Sequence, residues 1–146
     1  MAHAIGYDCK LYRNTGTWGS PVWSEIDIVK DATAEAERAT VEVKSRASSF
    51  VKHGSGPISV KITGQLLHDG GDAGYEAIRD AFLDKTSIDI VALDGSSATS
   101  GNQGFRAEWL VSKFARSEPL EGEVVIDFEL VPDLASANEP TLYEVA

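Results

Sequence analysis

The stretch "RATVEVKSRASSFVKHGSGPISVKITGQ", residues 38–65, decides the fold. Its ends alternate: Thr40-Val41-Glu42-Val43-Lys44 and Ile58-Ser59-Val60-Lys61-Ile62-Thr63 each put apolar side chains on one face and charged or hydroxyl ones on the other. A period of two is the pattern of a half-buried antiparallel strand. Between them lies "SRASSFVKHGSG", residues 45–56, which is too long for a tight hairpin. Hairpin loops usually take about 2–5 residues, and longer ones carry function or are disordered. The stretch therefore predicts two strands whose polar faces need water and a loop that needs a task.

Working outward, the same period recurs. "AIGYDCKLYRN" reads as an opening strand ended by the turn Asn14-Thr15-Gly16. "PVWSEIDIVK" alternates Val22, Ser24, Ile26 and Ile28 against Trp23, Glu25, Asp27 and Val29. "DATAEAERA" fits a helical turn or an exposed connection. "DGGDAGYEAIRDAFLDK" predicts a helix, with Asp72 as N-cap and Tyr75, Ile78, Ala81 and Phe82 along one side. Three further strands follow in "TSIDIVALD", "FRAEWLVSKF" and "EGEVVIDFELVP", and the tail "DLASANEPTLYEVA" reads as irregular, an extended arm. About seven strands and one helix without a βαβ rhythm predict a mostly β fold: an antiparallel sandwich or barrel-like body with one flanking helix. With 146 residues, no linker and no internal repeat, residues 1–146 read as a single domain.

The composition excludes several functions. The net charge is −10, and residues 117–146 hold eight acids and no Lys or Arg. Nucleic-acid binding draws its affinity from neutralised phosphates and needs a basic footprint, which is missing. The single cysteine, Cys9, precludes an internal disulfide framework and reads as a small buried apolar residue on the first strand. The opening "MAHAIGYDCKLYRN" lacks a secretion signal, and no apolar run approaches the ~18–20 residues of a membrane span.

Catalytic and metal chemistry leave no signature. His3, His53 and His68 are not spaced as ligands, and the latter two read as solvated or capping side chains in loops. The glycine-rich pieces "GSGP", "DGGDAG" and "GSSATSGNQG" lack the Lys or the following helix of a phosphate cradle. Glu25/Asp27 and Asp127/Glu129 could be drawn as acid–base pairs, but alternate positions on an exposed strand face form a solvated acidic surface. Trp18, Trp23 and Trp109 could make a carbohydrate platform or serve the core. No enzyme and no cofactor are expected. A β-sandwich binding module for carbohydrate or protein is the alternative reading.

The ordered set of elements resembles the major tail tube proteins of long-tailed bacteriophages. "GYDCKLYRNTGTWGSPVWSEIDIVKDAT" is similar to their opening strand, turn and aromatic-bearing strand. In "ATVEVKSRASSFVKHGSGPISVKITGQLLHD", Val43, Ser45, Arg46 and Ser48 fall close to the family's strand-into-loop pattern. "DAGYEAIRDAF" matches its helix, and "GFRAEWLVSKFARSEPLEGEVVIDFELVPD" its closing pair of strands. The loop carries Phe50 where the family often has Trp, and the last strand ends in Val-Pro-Asp instead of Gly.

The resemblance implies a structural virion protein that self-assembles into hexameric rings stacked as the tail tube, a conduit for DNA. It implies further partners among tail proteins (tape measure, initiator and terminator), a place in the virion tail, and synthesis in the host cytoplasm. Residues 45–56 would be an assembly loop presenting Ser45, Arg46, Ser48, Ser49, Phe50, Val51, Lys52 and His53. Residues 133–146 would be a C-terminal arm. Lumen-facing candidates are Glu25, Asp27, Glu42, Ser59, Thr63, Asp127 and Glu129, because an acidic wall lets phosphate pass without sticking. Equally, these residues would suit a plain solvated exterior.

Overall fold

The computed structural model describes residues 5–6 and 9–146. His3 and residues 4, 7 and 8 of the expected opening strand lie outside the described residues. Among the described residues the elements are β1 (Lys10–Asn14), β2 (Trp23–Glu25), β3 (Val29–Val43), β4 (Lys52–Leu67), α1 (Ala73–Asp84), β5 (Ile88–Leu93), β6 (Gln103–Ser117), β7 (Val125–Pro132) and β8 (Thr141–Glu144). They build one antiparallel sheet in the order β2-β1-β5-β6-β7-β4-β3, with β8 paired to β6.

Strand β6 is the pivot. Residues 103–109 pair with β5 and β8, and residues 109–117 pair with β7. The register slips between Val111 and Lys113, and the extra residue there bends the strand, as bulges do. The two halves of the sheet share one core. Leu11, Ile90 and Trp109 come from one half, Ile62, Leu66, Phe128 and Leu130 from the other, and Tyr75, Ile78 and Ala81 of α1 complete it. Trp109 is 0% exposed, and its indole Nε1 donates to the Ile90 carbonyl at 2.7 Å, so the buried polar atom is satisfied. Helix α1 starts where expected: the Asp72 carboxylate accepts from the backbone N–H groups of Gly74 and Tyr75.

Several expectations need correcting. Residues 31–39, read as a turn or connection, lie inside β3, with Thr33 opposite Thr63 and Glu35 opposite Lys61. Ala and Glu are poor strand formers, and pairing along β4 overrides that preference. "PVWSEIDIVK" is not one strand: β2 ends at Glu25, Ile26 turns into the core, and Val22 stays exposed. The tail is not wholly irregular, because β8 pairs Thr141–Glu144 with the start of β6. Cys9 is exposed and precedes β1. His68 is half-buried, edge-on to Tyr75 at 5.1 Å, with Nδ1 buried and lacking a hydrogen-bond partner among the described residues.

Candidate assembly surfaces

The first surface is a projection. β7 pairs with β4 only from Ile62 to Leu67, whereas β3 follows β4 out to the Val43–Lys52 pair. Among the described residues the outer part is thus a two-stranded ribbon with no further strand beside it, extending roughly 30 Å at ~3.3 Å per residue. A bulge opposite Arg38–Thr40 twists it at Gly56-Pro57, where a Cβ on Gly56 would sit 3.0 Å from Ala39. The connection is residues 44–51, shorter than the loop read from sequence, because β4 begins at Lys52. Serine hydroxyls shape it: Ser45 Oγ accepts from the Ala47 N–H and Ser48 Oγ from the Phe50 N–H, both at 3.1 Å. Val41, Val43, Phe50, Val51 and Ile58 are all exposed along the ribbon, Phe50 at 77%. Two-stranded hairpins are marginal in water, so this one lacks a partner that its apolar residues call for.

The second surface is polar. The burial of Ile62, Leu66, Ile126, Phe128 and Leu130 turns the alternate residues of β4 and β7 to the opposite face. Thr63 there stands opposite Glu129 and Gln65 opposite Asp127; β6 adds Lys113 opposite Glu129, and β3 adds Glu37 opposite Ser59. A shallow depression of about 260 Å³ on this face is lined in part by Asp31, Thr63, Lys113, Asp127 and Glu129.

The phage tail tube protein family matches residues 25–136. The chain belongs to that family. Among solved structures, the tail of an empty gene transfer agent particle, refined with C6 symmetry, superposes with a TM-score of 0.74 at 17% identity, over 97% of this chain and 99% of that one. The SPP1 tail tube gives 0.72 at 15% identity, over 88% and 75%. The sheath–tube complex of the extracellular contractile injection system PVC gives 0.66 at 11%, over 98% and 93%. At such identities the likeness is one of fold. Among curated proteins, no sequence matches this one.

In this tail tube protein, four of the seven lumen candidates share a surface: Ser59, Thr63, Asp127 and Glu129. The other three do not join them. Glu25 on β2 pairs with Tyr12 of β1 and binds Lys10 at 3.1 Å, and Asp27 is exposed in the turn before β3; both line a second cleft of about 900 Å³, which meets the first depression at Asp31 and Thr33. Glu42 alternates with the opposite face of β3, the face of Ala34 and Arg38, and pairs with Lys44 at 3.2 Å.

Sequence reading missed the charged cluster that ties the tail tube protein's termini together. The Arg106 guanidinium is 6% exposed, takes Asp89 in a two-pronged ion pair (Nη2–Oδ2 2.7 Å, Nε–Oδ1 3.1 Å), and donates to the Trp18 carbonyl at 2.9 Å. The Trp18 ring covers it at 3.8 Å, with Trp23 at 4.9 Å and Tyr143 at 5.6 Å. Trp23 Nε1 in turn donates to the Tyr143 hydroxyl at 3.1 Å. The β1–β2 loop and β8 are thereby anchored to β5 and β6 through one buried cation. Trp18 and Trp23 serve that cation and Trp109 serves the core. The only cue in the sequence was the richness of Trp and Tyr near the termini, which does not name Arg106.

The end of the sheet away from the ribbon carries the turn at residues 118–124. Its Glu118 binds Arg116 at 2.6 Å and its Glu123 binds Lys30; the hydrogen bond from Lys30, and then the charge of Glu123, raise the Lys30 pKa above its ordinary value. Leu120, at the turn's crest, is 99% exposed.

Proposed function

We propose that this tail tube protein closes into rings of six that stack into a hollow conduit for DNA, with a structural role and no catalytic step. The observation that carries this reading is the β3–β4 ribbon, an unsupported arm with exposed apolar residues on a chain that otherwise buries its core. The sixfold symmetry belongs to the gene transfer agent tail of the same fold and supports the ring number. The assembly arm runs over residues 38–58, wider than residues 45–56, and Ser45, Arg46, Ser48, Ser49, Phe50, Val51, Lys52 and His53 form its tip. Residues 133–146 add a second contact through the exposed Leu134 and Leu142.

Four strands of each copy, β6-β7-β4-β3, would line the channel. β3 is the long open edge of the sheet, with the three-residue β2 at the other, and a neighbour's strand beside β3 closes an edge that would otherwise aggregate. The polar face with Ser59, Thr63, Asp127 and Glu129 would then meet DNA. Its carboxylates repel phosphate within about 8–10 Å at ordinary salt, so DNA passes without binding. Lys61 and Lys113 temper that repulsion. Tape-measure, initiator and terminator proteins would set the tube's length and ends, and the chain would be made in the host cytoplasm before it enters the tail.

The test is mass in solution by light scattering over a concentration series, with negative-stain images of the same samples. Rings and tubes with sixfold end views are expected. A monomer at every concentration, even with the neighbouring tail proteins added, would overturn the reading.

A further inference from the structure

If the β3–β4 ribbon is an assembly arm, something must receive its tip. Resting on that reading, we propose that the acceptor is the β6–β7 turn, residues 118–124, of a second copy of this chain in the next ring, and that the contact is electrostatic with an apolar centre.

Charge segregation points there. Residues 38–58 hold four Lys or Arg (Arg38, Lys44, Arg46, Lys52) against Glu42 alone, a local charge of +3 in a chain of −10. The turn holds Glu118, Glu121 and Glu123 and no base. Arg46 and Lys52 at the tip, and Glu121 at the turn, have no ion-pair partner among the described residues. The apolar parts match as well: Phe50 stands out at the tip, while Leu120 stands out at the turn.

Topology puts the two surfaces at opposite ends of one strand. β4 begins at Lys52 beside the tip and ends at Leu67, which pairs with Val125, and Val125 pairs with Ser117. The turn therefore lies at the far end of β4, roughly 50 Å from the tip at ~3.3 Å per residue. Unlike surfaces at opposite ends make a head-to-tail contact that does not close on itself, and such contacts extend without limit. Complementary charge sets which end meets which, because two tips or two turns repel. The axis of stacking is then the direction of β4, and every added ring presents a fresh tip.

The test uses three full-length variants: Arg46→Glu with Lys52→Glu at the tip, Glu118→Lys with Glu121→Lys at the turn, and all four together. All positions are exposed, and the Arg116–Glu118 pair that the second variant loses is a surface pair of little weight. Thermal melting checks the fold, and sedimentation with negative-stain imaging measures tube mass from low to high salt. Each pair alone is expected to cut sedimented tube mass roughly tenfold or more, and the fourfold variant to restore it. Wild-type tubes should shorten as salt rises. If the tip variant assembles like wild type, the arm reading itself fails. If the tip variant fails while the turn variant grows normally, the arm stands and its acceptor lies elsewhere. If both fail and the fourfold variant stays unassembled, tip and turn do not meet, and the proposal is overturned.

Discussion

Strand β4 lives in two environments. From Val60 onward it buries Val60 beside β3 and Ile62 and Leu66 between β3 and β7, whereas residues 52–59 include no buried side chain. The outer part carries Ile58 and its partner β3 alternates Val41 and Val43 with Glu42, much as the inner part alternates Val60 and Ile62 with Lys61. What differs is the layer behind them. Strand propensity measures fit to a packed, half-buried surface, so the inner half is stabilised by its own core and the outer half waits for another chain. The same period-two code thus serves two interiors, one within the subunit and one between subunits.

This contrast can be broken at several points. The largest effect on the isolated chain is expected from Trp109→Ala, which empties a fully buried site and should cost about 3–5 kcal/mol in urea unfolding. Arg106→Ala should come close, at about 3 kcal/mol or more, because it strands the Asp89 carboxylate without its cation. Tyr143→Phe removes only the acceptor of the Trp23 indole and should cost about 1 kcal/mol by the same measurement. Phe50→Ser should leave stability within about 0.5 kcal/mol, since most of the ring is exposed in its own subunit. Yet that variant should assemble far less well than wild type in sedimentation. An unfolding midpoint shifted as much by Phe50→Ser as by Tyr143→Phe would erase the distinction between the two regions.

Much of the fold was legible because burial leaves a period. The runs around Trp109 and Phe128 alternate cleanly, and Asp72 caps α1 through the backbone N–H groups its position promised. Residues 31–39 were not legible as strand, because Ala and acid residues are set there by the needs of an exposed edge. β8 is four residues long, too short to show a period, and it is recruited by Tyr143 packing near Arg106. For the site, residues 45–56 stood out as a loop too long for a tight hairpin, although β4 takes up residues 52–56 of it. The shared surface of Ser59, Thr63, Asp127 and Glu129 emerged only from register. Glu42 illustrates why: the bulge lies on β4, so β3 keeps its alternation and carries Glu42 to the other face.

The most direct test of the central claim is amide hydrogen exchange, mapped by residue on the isolated chain and on the assembled tube. Residues 38–58 should exchange fast in the isolated chain while Ile62, Ile90, Trp109 and Phe128 are protected, and the ribbon should become protected on assembly. A ribbon already as protected as the core in the isolated chain, or one that gains nothing in the tube, would contradict that claim.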